Sequence, residues 1–204
     1  MDCTFFIFLL KFYSKSVMVI ANIIHNTFKS VSERIWRDIM RNHEELKLLV
    51  KYALLIAMTT VMTMVIQIPT INTNGYLNLG DMVVFVAAFL LGKRGGLIVG
   101  GLGSGLADIL LGYSHYAPIT LIVKGLEGFI AGAILETKVG KRVPLLATVL
   151  GAMWMALGYY LAEIFMYGKE PALLGIPGNL AQGLFGAITC LIFIKALNKT
   201  RIKI

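Results

Sequence analysis

Six apolar stretches follow one another along the chain: residues 48–68, 79–92, 95–112, 117–135, 143–166 and 175–196. Each is closed by a breaker or by charge. Pro69 ends the first, Lys93-Arg94 the second, and Lys138, Lys141 and Arg142 follow the fourth. A helix rises about 1.5 Å per residue, so roughly 20 apolar residues cross a hydrocarbon core of ~30 Å. Every stretch but the second meets that length. The second predicts either an upstream extension of its helix or locally thinned lipid. The pattern predicts an all-α integral membrane bundle of six transmembrane helices.

Residues 1–46 break the pattern. Phe5 to Leu10 is apolar but too short to span, and Ser, Lys, Arg, His and Asn interrupt the remainder. No basic segment precedes the apolar run and no small-residue cleavage site succeeds it, so a standard signal peptide does not fit. The expectation is an amphipathic cytoplasmic extension over 1–46, a six-helix domain over 47–199 and a basic tail over 200–204. Met40 stands just before the first strong span and offers an alternative translation start.

Composition agrees with the pattern. The chain of 204 residues is 57% hydrophobic and only 15% charged, against about 25% charged in soluble domains. The net charge of +8 raises nucleic acid as a partner, but the basic residues flank apolar runs instead of forming one stripe. With the N-terminus inside, all of the nineteen Lys and Arg except Lys124 and Lys169 fall on the inner side. By the positive-inside rule both termini are expected to be cytoplasmic.

Polar residues at membrane depth carry the functional signal, because an ionisable group there costs at least ~2.5 kcal/mol and needs a partner or water. That topology puts Asn78 and Asp81 at the outer end of the second span and Asp108 one turn below the outer end of the third. Lys124 falls roughly 10 Å down the fourth, with Glu127 one turn deeper. Tyr159 and Glu163 lie near the outer end of the fifth, and Asn179 and Gln182 in the first turns of the sixth. These residues share the outer half, whereas the inner halves are nearly all apolar. A channel needs polar lining on both sides; a pocket open to the outside needs only one. Lys124 and Glu127, at i and i+3, share a helix face and can neutralise each other, with or without a ligand.

Tyr76, Tyr113, Tyr116, Trp154, Tyr159 and Tyr160 supply candidate aromatic walls, which suit a small, flat, polar heterocycle. Glycine and serine at four-residue spacing, as in Gly96/Gly100/Ser104 and Gly128/Gly132, predict closely approaching helices. The run from Gly101 to Gly105 lacks the spacing of a nucleotide loop, and no GxxxxGK[ST] sequence occurs. The chain therefore has no ATP site to drive transport by itself. No HExxH, GxSxG or His/Cys cluster suggests an enzyme, a metal or a cofactor. Cys3 and Cys190 stand far apart in apolar surroundings and suggest neither a metal site nor a disulfide framework.

The segment Tyr76 to Asp81, the glycine-rich run ending at Asp108, the block Ala117 to Gly128 with Lys124-Gly-Leu-Glu127-Gly, and Pro177-Gly-Asn179-Leu-Ala-Gln182 together resemble the S components of energy-coupling factor (ECF) vitamin transporters. The likeness covers roughly residues 46–197. It implies a six-helix fold and an outward pocket for a small-molecule vitamin, pyridoxine or hydroxymethylpyrimidine being favoured over the larger riboflavin. It also implies as partners a transmembrane coupling subunit and two ATP-binding cassette ATPases. Ala53 and Ala57 match the small-residue pattern that faces the coupling subunit in that family. The alternative class is a self-sufficient ion-coupled transporter using Asp108, Lys124 and Glu127 as a relay.

Overall fold

The computed structural model describes residues 26, 29–30, 32–33, 42–69 and 76–199. The N-terminal extension, the alternative start at Met40 and the basic tail lie almost wholly outside the described residues. The chain divides into two compact units, Met1–Leu49 and Val50–Ile204. In the first, the described residues are helical, with an exposed Lys47–Glu44 pair at 2.8 Å.

The second unit comprises helix α1 (Asn42–Val65, which begins in the first unit), β1 (Ile68–Pro69), β2 (Tyr76–Leu77), α2 (Gly80–Leu110), α3 (Ala117–Leu135), α4 (Lys138–Arg142), α5 (Pro144–Tyr167) and α6 (Lys169–Lys199). α1, α2, α3, α5 and α6 are each long and apolar enough to cross a membrane. α2 is not one rod. Gly92 sits at φ 69° and ψ −163°, outside helical geometry, in a region that glycine enters without steric cost. A Cβ on Gly100 would lie 2.9 Å from Val84, although these residues are equidistant from Gly92 in sequence. The chain therefore turns back at Gly92 into two antiparallel halves, 80–91 and 93–110. The second and third apolar stretches are this hairpin.

The second half of α2 lies against α3 with almost no side chain between them. A Cβ on Gly96 would collide with the backbone of Gly128, and one on Gly128 with the backbone of Gly96. The Gly100 position abuts the Lys124 carbonyl and Gly101 the Leu121 carbonyl. This is the close packing that the four-residue glycine spacing predicts. α1 buries Leu55, Thr59, Thr60 and Thr63 along one face. Thr60 Oγ1 donates to the Gly103 carbonyl at 2.9 Å, replacing apolar packing with a hydrogen bond. Phe85, Val99, Ala131, Ala147 and Ala187 form the apolar core.

Two terminations set the site. α2 ends with Gly112 at φ 84°, where Gly112 N donates to Ile109 O at 3.2 Å and Tyr113 N to Asp108 O at 2.8 Å. This paired cap turns the chain directly into α3 and leaves Asp108 in the last turn of α2. Gly168, at φ 91°, reverses the chain between α5 and α6. α6 begins at Lys169, earlier than the apolar pattern indicates, and runs through Pro177. Pro177 donates no backbone hydrogen bond and so loosens that turn.

Candidate ligand cleft

The short antiparallel hairpin β1–β2 pairs Ile68 with Leu77 and Pro69 with Tyr76. It delivers Tyr76 and Asn78 to one end of the bundle, where α1 and the second half of α2 end and α3 and α6 begin. There a cleft of about 530 Å³, its open mouth included, is lined by side chains from every long helix. Asn78, Asp108, Lys124, Tyr159, Glu163, Asn179 and Gln182, all expected from the sequence, line it. Tyr76 and Tyr116 add two more of the candidate rings.

Asp81 and Glu127 are expected site residues that do not reach the lining. They lie behind Lys124, at 1% and 0% exposure. Lys124 Nζ donates to Asp81 Oδ1 in a very short contact and stands 3.2 Å from Glu127 Oε2. The i,i+3 pair is thus present, but it is one of two ion pairs in a three-residue cluster. Asp81 Oδ2 accepts from Gln182 Nε2 at 3.0 Å, and Gln182 Oε1 accepts from Asn78 N at 2.7 Å. One carboxylate thereby joins α2, α3 and α6, and Gln182 ties the end of the hairpin to them.

Nearer the mouth, each tyrosine is oriented by a hydrogen bond. Tyr76 donates to Asp108 Oδ1 at 2.6 Å, Tyr116 to Glu163 Oε1 at 3.2 Å and Tyr159 to Thr120 Oγ1 at 3.0 Å. Burial first, then their polar neighbours, push the Tyr76 and Tyr116 phenols up, so both remain protonated donors. The Tyr76 ring centroid is 4.9 Å from that of Tyr113, and His115 is 5.0 Å from Tyr116. A row of rings thus borders the acidic groups. Trp154 and Tyr160 do not line the cleft.

Thr63, Ser104, Thr120 and Gly175 also line the cleft and were not anticipated. Helical hydroxyls ordinarily bond the preceding turn, as Thr59 Oγ1 does to Leu55 O at 2.9 Å, so their sequence carries no ligand signal. Thr63 Oγ1 differs: it is buried without a hydrogen-bond partner among the described residues. Among those residues no group of three His, Cys, Asp or Glu is placed to hold a metal.

Apolar helices closed around one polar, aromatic-lined cleft define a membrane protein shaped to hold a small solute. Known proteins sharpen that class. A family model described as the ECF-type riboflavin transporter, S component, matches residues 43–199, and the chain belongs to this family. The resemblance read from the four sequence segments is thereby borne out. The chain is 39% identical over 129 residues to an "Uncharacterized protein in gap 3'region" of Pyrococcus woesei, covering 63% of this chain and 86% of that one. It is 29% identical over 164 residues to the "Thiamine precursor transporter HmpT" of Lactococcus lactis subsp. cremoris, covering 80% and 95%. The protein is accordingly a multi-pass component of a cell-membrane transporter and not an enzyme.

Proposed function

We propose that this chain is the substrate-capture subunit of an ATP-driven uptake complex, holding a small heterocyclic B-vitamin or precursor in an outward-facing cleft. Hydroxymethylpyrimidine or pyridoxine is the favoured ligand. The observation that carries the reading is the cleft at one end of the bundle, on which three tyrosines, two carboxylates, Lys124, Asn179 and Gln182 converge from β2, α2, the start of α3, α5 and α6. Counting the two halves of α2 gives six crossings. Lys93, Arg94, Lys138, Lys141, Arg142, Lys195 and Lys199 then gather at the end away from the cleft, which favours that end as cytoplasmic.

In this reading Asn78, Asp108, Lys124, Tyr159, Glu163, Asn179 and Gln182 touch ligand, while Asp81 and Glu127 hold Lys124 in place. The three tyrosine rings and the polar groups between them suit a flat ring held edge and face. Ala53 and Ala57 are exposed on α1, at the flank of its buried face next to Thr60. That supports them as the contact with a transmembrane coupling subunit, itself driven by two ATPases.

Native mass spectrometry of the gently purified protein tests the ligand. A stoichiometric pyrimidine or pyridine vitamer is expected; a retained flavin would overturn the preference. The buried Asp81–Lys124–Glu127 cluster favours a second reading, an ion-coupled transporter. Gradient-driven uptake into vesicles containing this chain alone would establish it, whereas uptake that needs the ATPases would exclude it.

A further inference from the structure

The threonines on the long helices differ in where their hydroxyls go. Thr59, Thr60, Thr148 and Thr189 each donate to a carbonyl three or four residues earlier, at 2.9, 3.0, 3.1 and 2.7 Å. A hydroxyl bonded in this way is satisfied by its own helix and needs no other partner. Thr63 departs from the pattern. It is 1% exposed, and its Oγ1 has no hydrogen-bond partner among the described residues. Leaving a buried hydroxyl unpaired is destabilising, so a fold keeps one only where something else uses it.

The surroundings make room for that hydroxyl. A Cβ on Gly80 would collide with Thr63 Oγ1, so the first residue of α2 leaves space for it by being glycine. One turn earlier, Thr60 Oγ1 also reaches the Gly103 carbonyl at 2.9 Å, which sets α1 against the second half of α2. Thr63 follows on the same face of α1, and Ser104 and Asp108 follow Gly103 on α2. All three line the cleft. The Thr63 hydroxyl is thus shielded from bulk water, unclaimed by its own helix, and part of the cleft wall.

We infer that Thr63 is a ligand-contacting residue contributed by α1, its hydroxyl donating to an acceptor atom, a ring nitrogen or an oxygen, on the edge of the bound heterocycle. Asp108 already offers an acceptor in the same wall, so the hydroxyl supplies the complementary donor. This rests on the proposed capture role and adds to it a specificity residue from a helix that otherwise faces the cleft with apolar or self-bonded side chains.

Thr63→Val keeps the shape of the side chain and removes the hydroxyl, whereas Thr63→Ser keeps the hydroxyl. Each is compared with the parent as the purified full chain, by scanning fluorimetry without ligand and by calorimetry with ligand. The probe is whichever of hydroxymethylpyrimidine, pyridoxine and riboflavin the parent binds most tightly. Ligand contact predicts a split. Thr63→Val should melt at or above the parent, because an unpaired buried hydroxyl is gone, yet bind at least about fivefold more weakly. Thr63→Ser should bind within about threefold of the parent. Melting lowered by more than about 2 °C in Thr63→Val would mean that the hydroxyl serves the fold. Unchanged affinity would mean that the ligand does not touch it, and equal losses in both variants would assign the effect to packing. Any of these three results overturns the assignment and leaves the capture role standing. A parent that binds none of the three compounds overturns the capture reading and the Thr63 assignment with it.

Discussion

Replacing Lys124 by Met is the most demanding test of the buried cluster. Lys124, Asp81 and Glu127 are each exposed by 1% or less, so their charges answer to one another and not to water. At 3.2 Å the Lys124–Glu127 pair alone is worth about 5 kcal/mol of attraction at an effective dielectric of about 20. Desolvation of the ions offsets much of this, so the intact cluster adds little net stability. Removing the cation is different, because two carboxylates are then left buried with, among the described residues, Gln182 Nε2 as the side-chain donor to Asp81. Loss of one member of a buried pair typically costs about 3–5 kcal/mol. At about 2–4 °C per kcal/mol for a chain of this size, melting should fall by about 6–20 °C. Scanning fluorimetry in detergent, with and without ligand, reads this directly. The double variant Lys124→Met/Asp81→Asn should melt above the single variant, since it leaves one fewer unpaired charge. A single variant within about 2 °C of the parent, or a double variant no better than the single, would refute the electrostatic reasoning.

Tyr76→Phe removes the donor to Asp108 at the mouth; loss of a charged hydrogen bond of about 1.5–3 kcal/mol should lower melting by about 3–12 °C in scanning fluorimetry. Gly96→Ala puts a methyl into the backbone of Gly128; overpacking should cost about 1–3 kcal/mol, whereas Gly105→Ala, whose nearest contact is 3.5 Å, should melt like the parent. Gly112→Ala meets no atom within 4 Å but must hold φ near 84°; a loss of about 1–2 kcal/mol is expected from conformation alone. Gln182→Ala frees Asn78 N and Asp81 Oδ2 together; hydrogen exchange should rise at residues 76–79 before it rises elsewhere.

Five long helices were legible as predominantly apolar runs, and several of the polar residues read at similar depth along them line one cleft. The Lys124–Glu127 pair was legible because it lies within one helix, where spacing fixes geometry. Its principal partner, Asp81, was not. That contact joins helices 43 residues apart, and helical periodicity does not say which helices adjoin. The same limit explains Gln182 bonding to Asn78 N. The early start of α6 was hidden because Lys169, Glu170 and Pro171 look like a connecting loop, yet they occupy a first turn, where charge and proline are tolerated.

The turn at Gly92 bears on how the protein is made. The half before it, residues 80–91, rises only ~18 Å as a helix, well short of a bilayer core of ~30 Å, and it begins with Gly80 and Asp81. Such a segment is a poor candidate to leave the translocon alone. Its partner half comes after one glycine and packs against it, as Val84 and Gly100 do. The two halves are therefore expected to enter the lipid as one hairpin, with Lys93 and Arg94 at its tip held back on the ribosome side. Asp81 would then wait for Lys124, which emerges later in synthesis, so the buried cluster closes only after the third helix has arrived.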